Sequence, residues 1–147
     1  MAVNTQFAIA MHIMASLGYA GGEVHSAEIA GSVNTSASFV RRILARLSKA
    51  GLVQTSTGKG GACWLARPPR DISLLEIYYA VDAPKAFAIH QYPVEKRCTV
   101  SCGIKSVLEQ VLAETQQAFE QRLRRISLAQ VVSELRQGVV RQGLARR

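Results

Sequence analysis

"NTSASFVRRILARLSKAGLVQTSTGKGGACWLARPP", residues 34–69, decides how this chain is built. Its first half carries a helical pattern. Phe39, Val40, Ile43, Leu44 and Leu47 recur by threes and fours, Thr35 or Ser36 can cap the start, and Gly51 stops the run. The opposite face holds Arg41, Arg42, Ala45, Arg46, Ser48 and Lys49. Its second half reads as two short strands, "LVQTS" and "ACWLA", joined by "TGKGG", a hairpin with a glycine-rich, basic tip. Pro68 and Pro69 close the unit.

Upstream, Val3, Phe7, Ala10, Met11, Met14 and Leu17 share helical spacing, and Ile9 and Ile13 add apolar residues on another side. A helix apolar nearly all round needs covering on both flanks. Gly18 and "GYAGG" are expected to end it, and "HSAEIAGSV" follows as a short helix with Ser26 as its cap. Downstream, "SLLEIYYAV" (73–81) is an amphipathic helix capped by Ser73, and 83–101, with Pro84 and Pro93, reads as a loop. From Ile104 to Ile126 an apolar stripe marks a helix of about 23 residues, roughly 34 Å long. "SLAQVVSELRQG" closes with a helix capped by Ser127. The fold class expected is mainly α with a small β-hairpin wing.

With 147 residues, 48% of them apolar, the chain can build one compact domain or a small domain with an appendage. Its net charge of +8 is unevenly placed: no acid occurs between Glu28 and Asp71. That window holds Arg41, Arg42, Arg46, Lys49, Lys59, Arg67 and Arg70, and a second basic cluster runs from Arg122 to Arg147. A solvated face normally mixes both signs, so the window points to a polyanion. The longest apolar candidate, Phe7 to Leu17, is too short for a membrane span, is interrupted by His12, and has no positive stretch before it. Three cysteines argue against a closed disulfide framework and for a reducing, cytoplasmic setting.

Helix, helix, basic-faced helix, then a glycine-lysine hairpin is the order of a winged helix-turn-helix. A helix entering the major groove packs apolar residues behind itself and presents short polar and basic side chains forward. The candidate DNA contacts are Ser36, Ser38, Phe39, Arg41 and Arg42 in the first turns, Arg46 and Lys49 toward phosphates, and Thr57, Lys59 and Gly60 in the wing. Each feature alone also fits an ordinary amphipathic helix and a solvated hairpin. Enzyme motifs fail on inspection. The phosphate-binding pattern G-x4-G-K-[ST] meets Val53 at its first glycine, and G-x-G-x-x-G meets Cys63 at its last. No C-x2-C pair or Ser-His-Asp pattern is present, which leaves a non-DNA interaction module as the other alternative.

The stretch from "SVNTSASFVRRILARLSKAGLVQTSTGKGG" through "LARPPRDISLLEIYYAV" resembles the winged-helix core of the Rrf-two (IscR/NsrR/CymR-type) bacterial regulators. The likeness spans nearly the whole chain. It is greatest to a YwnA-like branch, through Ala88–Ile89–His90 and the Cys98, Val100, Ile104 pattern. The resemblance implies a homodimeric transcriptional regulator on a palindromic operator, a repressor being the expected form, with activation the alternative that the sequence leaves open. Residues 1–82 would read DNA, 83–101 would form a cysteine-bearing linker, and 102–147 would dimerise. The stripe supports the last point independently, because a long amphipathic helix outside a small domain needs a partner, packing against its own domain being the other reading. Its dimerisation residues are Ile104, Val107, Leu108, Val111, Leu112, Phe119 and Leu123.

Iron–sulfur members of that family hold the cluster with three cysteines in the loop; here there are two, Cys98 and Cys102, with Cys63 in the wing. A cluster would draw further ligands from His90, from His12 of a neighbouring subunit, or from an exogenous group. Zinc lacks the second pair a tetrahedral site wants. A thiol switch needs less. With Ser101 as the cap, Cys102 sits in the first turn, where the helix dipole favours a thiolate, with Lys96, Arg97 and Lys105 nearby. A Cys98–Cys102 disulfide requires that the backbone between them not be helical. An intersubunit bridge and inert packing at the junction are the other readings. No cofactor is required.

Overall fold

The computed structural model describes residues 5–56 and 61–145. Thr57, Gly58, Lys59 and Gly60 of the wing, Val3, and Arg146 and Arg147 lie outside the described residues. The elements run α1 (Gln6–Ala20), β1 (Val24–His25), α2 (Ser26–Val33), α3 (Ala37–Lys49), β2 (Val53–Thr55) and β3 (Ala62–Leu65), then α4 (Leu74–Ala80), α5 (Thr99–Arg124) and α6 (Leu128–Ala145).

Helix α1 is central. Ala10, Ile13, Met14, Ala15, Leu17 and Gly18 are buried on it, and it meets α2, α3, α4, β3 and α6. Gly18 does not end it: the helix runs on to Ala20, and Gly21, at φ +71°, supplies the left-handed cap, donating its N–H to the Leu17 carbonyl. Gly18 lies instead where α6 comes closest, since a Cβ there would stand 2.8 Å from a methyl of Val132. Helix α2 begins one residue earlier in its cap than the sequence implies. His25 is the N-cap, and Ser26 is the first helical residue, buried, with its N–H on the Gly61 carbonyl. A tight turn at Asn34, φ +63°, joins α2 to α3.

The sheet has three antiparallel strands in the order β1-β3-β2. The hairpin β2–β3 is the wing; β1, only two residues long, pairs Val24 with Cys63 and His25 with Ala62. At the base of the wing, Gly61 has φ +57°, and a Cβ there would meet the Ser26 hydroxyl at 3.0 Å.

Helix α4 carries a full capping box: the Ser73 side chain accepts the Glu76 N–H and the Glu76 carboxylate accepts the Ser73 N–H. Residues 83–98 form the loop expected, but α5 starts at Thr99, with Cys98 rather than Ser101 as its N-cap. After α5 the chain returns to the first unit. Leu74 N–H donates to the Ile126 carbonyl at 3.0 Å and Leu128 N–H to the Ile72 carbonyl at 2.8 Å. Ser127 then caps α6, exchanging hydrogen bonds with Gln130. One core runs through both ends of the chain: Leu123, Leu128 and Val132 join it with the residues of α1, α3 and α4.

Candidate DNA interface and cysteine loop

On α3, Val40, Ile43, Leu44 and Leu47 are buried in the core. Ser38, Arg41, Arg42, Ala45 and Lys49 are exposed on the opposite side, at i, i+3, i+4, i+7 and i+11, one face of a helix. Ser36 caps the helix, accepting the Phe39 N–H at 3.2 Å, and its hydroxyl lies 3.2 Å from that of Ser38. Phe39 is half-buried, and the Arg42 guanidinium stacks over its ring at 4.9 Å. Ser36, Ser38, Arg41, Arg42 and Lys49 therefore come together on one basic surface, and Phe39 supports it from below.

Arg46 does not belong to that surface. Its Nη1 donates to Gln6 Oε1 at 3.0 Å and to the Val81 carbonyl at 3.0 Å, so that edge of the fork is held against the domain. The phosphate role expected of Arg46 therefore competes with these two contacts inside the domain. Trp64 is a strand residue whose indole N–H donates to Gln54 across the wing at 2.9 Å.

The three cysteines are free and stand in two places. Cys63 is buried in β3, its thiol on the Val24 carbonyl at 3.2 Å, and burial pushes that thiol up to about 11. Cys98 and Cys102 are exposed. The Cys98 Sγ accepts the Ser101 N–H at 3.4 Å, while Cys102 directs its thiol back to the carbonyls of Lys96 (3.7 Å) and Glu95 (3.8 Å). Glu95 N–H donates to Ser101 Oγ at 2.8 Å and Lys105 Nζ to the Tyr92 carbonyl at 2.6 Å, folding the loop onto the first two turns of α5. Residues 99–101 are helical and Cys102 N–H donates to the Cys98 carbonyl at 3.0 Å, so the non-helical backbone that an intrachain disulfide needs is not met here.

His12 is exposed, not a core residue, and its Nε2 lies 2.9 Å from the Ser32 hydroxyl. It lines an open groove of about 790 Å³ between α1, α2 and α6. His90 stacks on Tyr92 with ring centroids 5.5 Å apart. Neither histidine joins the cysteine pair. Among the described residues no group of three His, Cys, Asp or Glu side chains could hold a metal ion.

The stripe expected to dimerise divides in two. Leu123 is buried and Phe119 packs on Tyr78, ring centroids 5.5 Å apart, so the C-terminal half of α5 is seated on its own domain. Toward the N-terminus, Val100, Val107 and Val111 are 68%, 58% and 50% exposed, and Ile104, Leu108 and Leu112 are only partly covered. No helix among the described residues is long and apolar enough to cross a membrane.

A winged helix-turn-helix with an exposed basic face on α3 and a long trailing helix is the architecture of DNA-binding transcriptional regulators. The family model for Rrf2, described as an iron-dependent transcriptional regulator, matches residues 3–134, and the chain belongs to that family. YwnA of Bacillus subtilis (strain 168), named as an HTH-type transcriptional regulator, is 38% identical over 134 residues, 90% of this chain and 98% of YwnA. The solved structure of T. potens IscR is 27% identical, with a TM-score of 0.60 over 92% of this chain and 88% of that one. CymR, the global cysteine regulator of B. subtilis, shares the fold at 20% identity, with a TM-score of 0.67 over 91% of this chain and 98% of CymR.

Proposed function

We propose that this regulator is a cytoplasmic homodimeric repressor that reads a palindromic operator with α3 and the wing, and that thiol chemistry at Cys98 and Cys102 sets its occupancy. The observation that carries the DNA reading is the exposed face of Ser38, Arg41, Arg42, Ala45 and Lys49 on a helix whose other side is buried. Arg42, held over Phe39, is preorganised to present its fork to a base edge, and Lys49 lies two turns further along, toward a phosphate. Lys59, Thr57 and Gly60 remain the wing contacts.

The dimer rests on the exposed stripe of α5. Three valines left in water along one helix half are apolar surface that a second copy can cover. In this assignment residues 1–82 read DNA, 83–101 link and sense, and 102–147 dimerise. Ile104, Val107, Leu108, Val111 and Leu112 form the contact, while Phe119 and Leu123 anchor the helix to its own domain.

The switch rests on the use of sulfur as a structural acceptor. Drawing Cys98 into a disulfide with the partner's cysteine takes two electrons and two protons to an oxidant and pulls its sulfur from the Ser101 N–H. The first turn of α5 and the exposed stripe beside it then rearrange.

The test is binding of the purified protein to a duplex from upstream of its own coding region, followed by fluorescence anisotropy with and without mild oxidant. Wild type is expected to bind as a dimer and to release the duplex on oxidation. Arg42→Ala is expected to cost about 10- to 100-fold. Specific binding unchanged in Arg42→Ala overturns the placement of the recognition helix. Release that persists equally in Cys98→Ser and Cys102→Ser overturns the switch.

A further inference from the structure

Arg46 is a half-buried basic residue of α3, and its Nη1 is engaged inside the domain. It lies about 80° around the helix from Ser38, at the flank of the exposed face. There its Nη1 reaches two elements at once: Gln6, the first residue of α1, and the carbonyl of Val81, which terminates α4. Helix termini leave their last carbonyls without intrahelical partners, and a cation at that end is favoured by the helix dipole. The Val81 carbonyl is such a group, and Val81 itself is fully buried.

Both partners of Arg46 lead directly to α5. Phe7, next to Gln6, stacks edge-on against Tyr78 at 5.5 Å, and Tyr78 stacks edge-on against Phe119 of α5 at 5.5 Å. Beyond Val81 the chain turns at Asp82, φ +49°, and enters the cysteine-bearing loop. The Tyr78 hydroxyl donates to the Pro84 carbonyl just past that turn. Gln116 of α5 closes the arrangement, accepting the Ala86 N–H at 2.9 Å and donating to the Tyr78 hydroxyl at 3.2 Å. A single guanidinium therefore joins the recognition helix to the hub where α1, α4, the loop and α5 meet.

We infer that Arg46 is a positioning residue: its fork sets the angle of α3 relative to α5, and sequence-specific binding depends on that geometry and not on its charge. The inference rests on the proposal that α3 reads DNA. In a dimer joined through α5, a change in that angle displaces two recognition helices in opposite senses, so discrimination between sequences falls. Attraction to phosphates, which comes from the exposed Arg41, Arg42 and Lys49, is left intact.

The test compares Arg46→Lys, Arg46→Ala and Arg42→Ala with wild type on two duplexes, the upstream fragment and one of scrambled sequence, across a salt series. Thermal melts confirm that each protein is folded, and Arg46→Lys, which keeps the charge and one reachable donor, carries the test if Arg46→Ala is unstable. The expected result is a loss of about tenfold on the upstream duplex for both Arg46 variants, with scrambled-duplex affinity within about twofold of wild type. The salt slope is expected to be unchanged. Wild-type behaviour in Arg46→Lys, with loss on both duplexes and a slope lower by about one in Arg46→Ala, identifies a phosphate contact and overturns the inference. A wild type with no preference for the upstream duplex overturns the DNA reading instead, and Arg42→Ala then changes nothing either.

Discussion

The Arg67 guanidinium stands 2.7 Å from the Glu76 carboxylate, on the same side chain that closes the capping box with Ser73. One carboxylate thus anchors the start of α4 and ties it to the segment leaving the wing. Partial burial disfavours its charge, but the Ser73 N–H, the Arg67 guanidinium and the Ser73 hydroxyl outweigh that and hold the carboxyl below its ordinary range. A folded-state pKa lowered in this way gives stability that is present above the unfolded value, about 4.3, and lost as pH falls through the folded value. Glu76→Gln keeps an acceptor and removes the charge. Its melting temperature is expected to lie below wild type at neutral pH, with the two curves converging below about pH 4. A gap that stays constant as pH is lowered well below about 4, through the range where the folded carboxyl takes up its proton, shows that the charge contributes nothing.

Phe39 works as a platform. Its ring lies under the Arg42 guanidinium at 4.9 Å while its inner edge packs against the core. Phe39→Leu keeps the apolar filling and removes the ring face. An exposed cation–π contact is worth about 0.5–1 kcal/mol, so specific affinity is expected to fall about two- to fivefold. The salt slope is expected to stay as in wild type, because no phosphate contact is removed, and a salt series by anisotropy checks both. A larger drop in scrambled-duplex binding than in specific binding counts against the platform.

Helix α3 and the wing were legible because their physics is local. An apolar face at helical spacing, a serine cap and a glycine stop all lie within residues 36–51. Positions decided by partners distant in sequence were not legible. Arg46 sits among basic residues on any helical projection; Gln6 and Val81, 40 and 35 residues away, turn it inward. Strand β1 is two residues long and exists only through its pairing with β3. The start of α5 was misplaced because Ser101 is the more usual cap, whereas the loop folds back so that Ser101 Oγ serves Glu95 and the Cys98 sulfur takes the cap position. Likewise Gly18 reads as a stop signal, and only the approach of Val132 shows why glycine stands there.

That approach gives a prediction opposed to helix propensity. In an isolated helix Gly→Ala is favourable by about 1 kcal/mol. Here the new methyl meets a branched, buried side chain at 2.8 Å, with the start of α6 pinned just upstream by the buried Leu128 and the Ser127 cap. Overpacking of this kind costs about 1–3 kcal/mol. Gly18→Ala is therefore expected to lower the melting temperature, and adding Val132→Ala is expected to recover part of the loss. Thermal melts of the two single variants and the pair settle it; additive losses in the pair exclude a steric origin.

Cys98 offers the most direct reading of the loop, because its sulfur is the acceptor for the Ser101 N–H at the first turn of α5. Sulfur accepts weakly, and a serine hydroxyl at the same position is a better cap. Cys98→Ser is therefore expected to match or exceed wild type in stability. Cys98→Ala, which leaves that N–H without its acceptor, is expected to lose up to about 1 kcal/mol, a shift of about 2–4 °C for a chain of this size. The order Ser, then Cys, then Ala separates a capping role from a purely chemical one, since both substitutions remove the thiol equally. Hydrogen exchange locates the effect: the Ser101 amide is expected to exchange faster in Cys98→Ala than in Cys98→Ser, while Leu123, buried at the far end of the same helix, keeps its protection. Equal exchange at Ser101 in the two variants would remove the cap from the account and leave Cys98 a reactive side chain only.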